Sequence, residues 1–211
     1  MWPWVDFRRL HGTYHDVIDC LVTALEAKDP YTRGHSRRVA DMSLDLARRV
    51  GLKGSALEVI HIAAHIHDIG KIGVPDQVLH KQGPLFPHEW AAIQRHPEIG
   101  YNILHKCRHL EQMALVVLHH HERWDGKGYP SGLKGEAIPL GSRIIALCDA
   151  IDAMTSERPY RKALSWRECW DEVIAYKGVQ FDAVLVEAAE QLWQVWEKRW
   201  PNASRSTKDA G

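Results

Sequence analysis

Apolar residues recur along this chain at every third or fourth position, the period of one helical face, and no stretch sustains the alternation of a strand. Val17, Leu21, Ala24 and Leu25 predict a first helix, and Val39, Met42, Leu46 and Val50 a second, closed by Gly51. Ser55-Ala-Leu-Glu58 reads as a capping box opening a third helix, which runs through Ile60, Ala63 and Ala64 and carries His67 and Asp68 in its last turn before Gly70. Pro87 is placed to start a helix reaching His96, with Ile99, Ile103 and Leu104 continuing its apolar face. Leu115 to Leu118 leads a helix into His119, His120 and His121, and Leu140 to Met154 forms another that carries Asp149 and Asp152. Ser165-Trp-Arg-Glu168 is a second capping box. Asp182 caps a final helix running through Leu185, Leu192 and Trp196 to Pro201.

The fold predicted is therefore all-α, a single bundle of seven to nine helices over residues 14–200, with an N-terminal segment before it and a disordered polar tail from 201 to 211. Between Glu122 and Pro139 glycines and prolines forbid regular structure, and a loop that long calls for a functional reason.

With 211 residues, 45% of them hydrophobic, the chain can bury a core without staples. Lys plus Arg equals Asp plus Glu at 27 each, so no overall field attracts a nucleic acid polymer or an anionic membrane. No apolar run suits a signal peptide or a membrane span, and Cys20, Cys107, Cys148 and Cys169 lack metal-site spacing; a cytoplasmic protein with reduced thiols is expected. The tryptophans Trp193, Trp196 and Trp200 fall on a helix face as core or as the interface of a homodimer, and Trp124 stands in the loop where it could stack on a base.

Histidine is the outlier, at 14 residues. A lone histidine is more often a surface or capping residue than a ligand, and His11, His15, His61, His80, His88, His105 and His109 are read that way. His35, His67, Asp68, His96, His120, His121 and Asp149 form a different set: imidazoles and carboxylates without cysteine, suited to an open centre for hard-to-borderline divalent metals and to hydrolysis. His65 and His119 lie next to this set without belonging to it. Asp149, mid-helix among apolar neighbours, needs a cation nearby. Asp152 needs a histidine N–H or an arginine, unless it is a solvated helix end.

His67-Asp68-Ile-Gly-Lys71 resembles the signature of the HD superfamily of metal-dependent phosphohydrolases. His120-His-Glu-Arg-Trp-Asp-Gly-Lys-Gly-Tyr-Pro130 resembles its HD-GYP branch, which cleaves cyclic di-GMP. Asp29-Pro-Tyr-Thr-Arg-Gly-His-Ser36, Lys81-Gln-Gly-Pro84, Arg95-His-Pro97, Arg143-Ile-Ile145 and Glu157-Arg-Pro-Tyr-Arg161 support the likeness, which extends from about Leu25 to Val186. The resemblance implies that His35, His67 and Asp149 hold one metal, that His96, His120 and His121 hold a second, and that Asp68 bridges them. It implies that Lys71 contacts a phosphate beside the catalytic Asp68, that Arg158 and Arg161 bind the second phosphate, and that the loop with Gly126, Gly128 and Tyr129 shapes the pocket. Tyr129 could equally be a packing anchor.

The expected activity is a phosphodiesterase opening cyclic di-GMP to linear pGpG by in-line attack of a metal-bridging hydroxide, with a further cut to GMP left open. The donor set suits iron or manganese and tolerates zinc, cobalt or nickel. Some relatives recruit a third metal through a glutamate where this chain has Tyr31, so two metals are expected. A broader HD-type nucleotide phosphohydrolase and a non-catalytic binding module are the rival readings. Gln82, Phe86, His65 and Ala183 depart from the usual pattern without touching a ligand. About fifteen residues precede the expected first helix, so the chain is read as free-standing, as a fragment, or as the output half of a system with a separate sensor or receiver partner.

Overall fold

A computed structural model describes residues 7–29, 32–157 and 162–201; side chains are described from residue 16 onward. All the long elements are helices: α1 (Phe7–Lys28), α2 (His35–Arg49), α3 (Ser55–His65), α4 (Asp76–Leu79), α5 (Pro87–Ile93), α6 (His96–Leu104), α7 (Glu111–Leu118), α8 (Leu140–Thr155), α9 (Trp166–Ala175), α10 (Ala183–Glu190) and α11 (Trp193–Arg199). Among the described residues there is no strand, as the absence of period-two patterning implied. No described helix is long and apolar enough to cross a membrane.

At the centre, α2 packs against α3 and α8, and α7 fills the space between α3, α6 and α8. Leu46, Ile62, Ile66, Ile144, Ile145, Leu147 and Trp196 are almost fully removed from solvent there. Burying each such side chain stabilises the fold by roughly 1.5–3 kcal/mol before chain entropy is subtracted.

Several boundaries differ from the sequence reading. The first helix starts at Phe7, earlier than expected; of its expected stripe Leu25 is buried and Leu21 packs on the core, whereas Val17 and Ala24 are exposed and Ile18 and Val22 turn inward in their place. Ser55 is the first residue of α3 and makes no side-chain cap, because Gly54 occupies the capping position. The Ser165 box does form, with Ser165 Oγ and the Glu168 carboxylate exchanging hydrogen bonds with backbone N–H groups, and Asp182 accepts from the Val184 N–H to cap α10.

Among the described residues the helix count rises above seven to nine because two predicted helices are broken and the short α4 was not expected. Pro87–Leu104 divides at Gln94 and Arg95, which lets Pro97 take a first-turn position where it needs no donor. The last helix divides at Gln191 and Leu192, so that Trp193 and Trp196 turn into the core.

Asp68 leads into a 3-10 turn, Ile69–Gly73, that lies across α6. A Cβ on Gly70 would stand 1.8 Å from the His96 carbonyl oxygen and 2.6 Å from the Gly100 nitrogen. Only glycine permits this approach, and the approach brings Asp68 and His96 to the same point.

Candidate metal centre

His67, His96 and His120 share one local design. Each lies within three residues of the end of a helix, respectively α3, α5 and α7, where the last carbonyls have no intrahelical partner. Each donates its Nδ1–H to the carbonyl three residues back: His67 to Ala64 at 2.7 Å, His96 to Ile93 at 2.8 Å and His120 to Val117 at 2.6 Å. A carbonyl can only accept, so Nδ1 carries the proton and Nε2 is left with its lone pair directed at the centre. His35, the first residue of α2, does the same through the Asp152 carboxylate, 2.7 Å from its Nδ1. Three helix C-termini also turn their negative ends toward this place, which favours a cation there.

The deprotonated nitrogens meet in pairs. His35 Nε2 is 3.4 Å from His67 Nε2, and His96 Nε2 is 3.2 Å from His120 Nε2. Two lone pairs facing each other at such distances in a dry interior repel unless positive charge lies between them. The donor chemistry therefore fits divalent cations. Asp68, 3% exposed, stands between the pairs: Oδ2 is 3.5 Å from His67 Nε2 and 3.9 Å from His35 Nε2, while Oδ1 is 3.4 Å from His96 Nε2.

Two donor groups result, His35 with His67 and Asp68, and Asp68 with His96, His120 and His121, in each of which the ligand atoms lie within 4.8 Å of one another. Asp149 Oδ1 reaches His35 Nε2 at 3.3 Å from the flank of the first group. All seven expected ligands thus come together. The adjacent pairs His67–Asp68 and His120–His121 sit in turns just past their helices rather than within the last helical turn, because side chains 100° apart on a helix cannot converge.

Electrostatics separate the groups. Burial depresses His120 far below the ordinary imidazole range, helped by His121, His67 and His96, and it takes His121 down to about 3 and lowers His96 as well. Burial pulls His35 down too, but its hydrogen bond to Asp152 and the charges of Asp152, Asp149 and Asp68 outweigh it and raise its pKa. Burial alone would raise the carboxylates; Lys71, His67, His96 and His35 hold Asp68 well below its usual range, and His35, His67 and His121 hold Asp149 below it. Lys71 Nζ lies 2.7 Å from Asp68 Oδ2 and 3.6 Å from the buried Asp29, and against the cost of burial these carboxylates raise its pKa.

Asp152 is not a solvated helix end. It is 2% exposed and receives both partners named as alternatives, His35 Nδ1 and the Arg38 guanidinium, whose Nε stands 2.5 Å from Oδ1. Arg38 was missed by the sequence reading, although its position three residues after His35 puts both on one helix face.

Glu122 was also missed. Its fully buried carboxylate accepts the Ser131 and Leu133 N–H groups at 2.7 and 3.1 Å, folding the long loop back on itself. Gly128 packs so closely on that fold that a Cβ would meet the Arg123 nitrogen at 2.4 Å. Between them Tyr129 is laid over the His121 ring, with centroids 4.9 Å apart, so the loop does border the metal centre.

His119 lies 3.6 Å from the Glu122 carboxylate, and His65 stacks edge-on with His61, its pKa brought down to about 4 by burial and by His61. Trp124 lies under the Arg143 guanidinium. Arg158, Arg161 and Tyr31, and with them the expected second-phosphate contacts and the argument against a third metal, lie outside the described residues.

Fold and site define a class: a helical histidine–aspartate domain whose helix ends converge on a cation-binding cluster. A family model described as HD domain matches residues 19–185. The 3'3'-cGAMP-specific phosphodiesterase 2 of Vibrio cholerae is 39% identical over 186 residues, 87% of this chain and 36% of that protein. The cyclic di-GMP phosphodiesterase response regulator RpfG of Xanthomonas campestris pv. campestris is 40% identical over 175 residues, 82% of this chain and 46% of that protein. The chain thus spans between a third and a half of the length of these relatives. The crystal structure of a cyclic GMP-AMP-specific phosphodiesterase of V. cholerae superposes with a TM-score of 0.68 at 24% identity, covering 91% of this chain and 51% of that one, which shows the shared fold. The chain belongs to the HD domain family, in the HD-GYP branch that its Gly126–Pro130 loop marks.

Proposed function

We propose that this domain is a metal-dependent phosphodiesterase that opens cyclic di-GMP to linear pGpG. The observation carrying this reading is the set of four histidines whose protonated Nδ1 atoms are tied down, leaving Nε2 lone pairs paired at 3.2 and 3.4 Å around one two-sided carboxylate. The relatives' names, which include cyclic di-GMP and 3'3'-cGAMP phosphodiesterases, support the substrate class.

In this reading His35, His67 and Asp149 would hold one ion and His96, His120 and His121 the other, with Asp68 a donor common to both groups. Two divalent cations, iron or manganese by the donor chemistry with zinc, cobalt and nickel compatible, would supply Lewis acidity and water ionised near neutral pH. The chain's own residues do the rest. Lys71, held charged by Asp68 and Asp29, presents its ammonium to the attacked phosphate. Tyr129 walls the cleft over His121, and Arg158 and Arg161 take the second phosphate. Asp152 and Arg38 keep the His35 ring in its tautomer and orientation.

The test is incubation with cyclic di-GMP under anaerobic conditions with iron or manganese, with the products separated by chromatography. Accumulation of pGpG supports the reading; intact cyclic di-GMP in fully metal-loaded protein overturns it.

A further inference from the structure

Against the exposed side of α8, the helix that carries Asp149, a cleft of about 300 Å3 opens toward the α9–α10 connection. That is the lower end of the range for ligand sites, about 300–1,000 Å3, and suits one ring system. Its floor is apolar, with Ala153, Met154 and Phe181; its rim carries Glu172, Tyr176 and Gln180. None of the roles assigned above uses them.

The cleft is joined to the catalytic loop on one side and to a ligand helix on the other. Trp124 and Asp125 donate their N–H groups to the Gln180 and Val179 carbonyls at 3.0 and 2.9 Å, so the segment with Gln180 is bonded to the loop that carries Tyr129. The floor belongs to α8, where Ala153 follows Asp149 by one turn, a rise of about 6 Å.

The rim has a defined polarity. Arg123 donates to Gln180 at 2.7 Å, and a guanidinium can only donate, so the atom it touches is Oε1 and the amide NH2 is turned away as a donor. Glu172 is exposed with no side-chain partner among the described residues and offers two acceptor oxygens. Tyr176, 43% exposed, offers a ring face for stacking. One donor, one two-fold acceptor and a stacking surface over an apolar floor complement the pairing edge of guanine, with its adjacent N1–H and N2–H2 donors and its O6 acceptor. They oppose adenine, which has an acceptor at N1.

We propose that this cleft seats a guanine base of the cyclic dinucleotide, with Glu172 reading N1–H and N2–H2 and Gln180 donating to O6. The inference rests on the cyclic-dinucleotide reading above and adds the residue that sets base preference. The test compares kcat/KM for cyclic di-GMP, the mixed guanine–adenine cyclic dinucleotide and the base-free diester bis(p-nitrophenyl) phosphate in wild type, Glu172→Ala and Glu172→Gln. Both variants are expected to lose about tenfold on cyclic di-GMP while hydrolysing the base-free diester as wild type does, since the guanine N1–H and N2–H2 lose the charged acceptor that would pair with both. Glu172→Gln, whose amide matches adenine, is expected to move the preference toward the mixed dinucleotide. Wild-type selectivity in both variants overturns the cleft assignment and leaves the phosphodiesterase reading standing, as does an equal loss on all three substrates. A wild-type enzyme that opens no cyclic dinucleotide overturns both.

Discussion

The two halves of the candidate metal centre share Asp68 and differ in nearly everything else. Around His35 and His67 stand Asp149 and, behind them, the Asp152–Arg38 pair, and there the imidazole of His35 has a raised pKa. Around His96, His120 and His121 no second carboxylate joins the donor group among the described residues, three rings pack within 5.2 Å of one another centroid to centroid, and all three pKa values are lowered by burial. The first half is a charged site that carries its own counter-charge. The second is a neutral nitrogen cage whose donors stay deprotonated in acid.

The largest effect follows from removing what they share. Asp68→Ala deprives both halves of an anionic donor, and turnover is expected to fall roughly a thousandfold or more. Metal analysis should then show both ions lost, while circular dichroism retains the helical spectrum. Normal metal content in this variant would detach the halves from one another.

Next comes a change confined to one half. Asp152→Asn leaves every ligand in place but removes the negative charge and leaves one acceptor oxygen where His35 and Arg38 had two, so affinity at the His35 half should fall roughly 10- to 100-fold with the His96 half unaffected. Titration with manganese, followed by turnover and by the number of ions bound, should show one tight and one weakened site; equal weakening of both would mean that Asp152 supports the fold rather than a ligand.

The smallest effect is on stability. In the metal-free protein His96, His120 and His121 refuse protons that the unfolded chain accepts near pH 6.5, so stability falls as pH drops below that value. His121, with its pKa near 3, contributes about 2 kcal/mol of this loss between pH 6.5 and 5. His35 works in the opposite direction: its raised pKa adds stability below the unfolded value, lost as pH rises through the folded one. Thermal melts at pH 7 and 5 should therefore show a lower midpoint in acid, less so in His121→Asn and more so in His35→Asn. A pH-independent difference between these two variants would contradict the contrast.

The all-helical bundle and the residues that the fold gathers at the candidate site were legible in the chain because both are local properties: a 3.6-residue apolar period, and histidines near helix ends. Phase and breaks were less so. That Ile18 rather than Val17 faces the core, or that the helix after Pro87 stops at Ile93, is decided by what packs opposite. The supports of the site were least legible. His35 and Asp152 are 117 residues apart, and nothing local pairs them; Glu122 shows no periodicity and discloses its task only once Ser131 and Leu133 fold over it. Gly70 was read as a helix stop, whereas its function is to let two backbones touch.

The central claim, two ions flanking one bridging carboxylate, is tested most directly by anomalous diffraction from crystals loaded with manganese. Two peaks about 3.5–4 Å apart, one facing each oxygen of Asp68, with His35 and His67 at one and His96, His120 and His121 at the other, are the predicted result. A single peak, or two peaks neither of which touches Asp68, would contradict it.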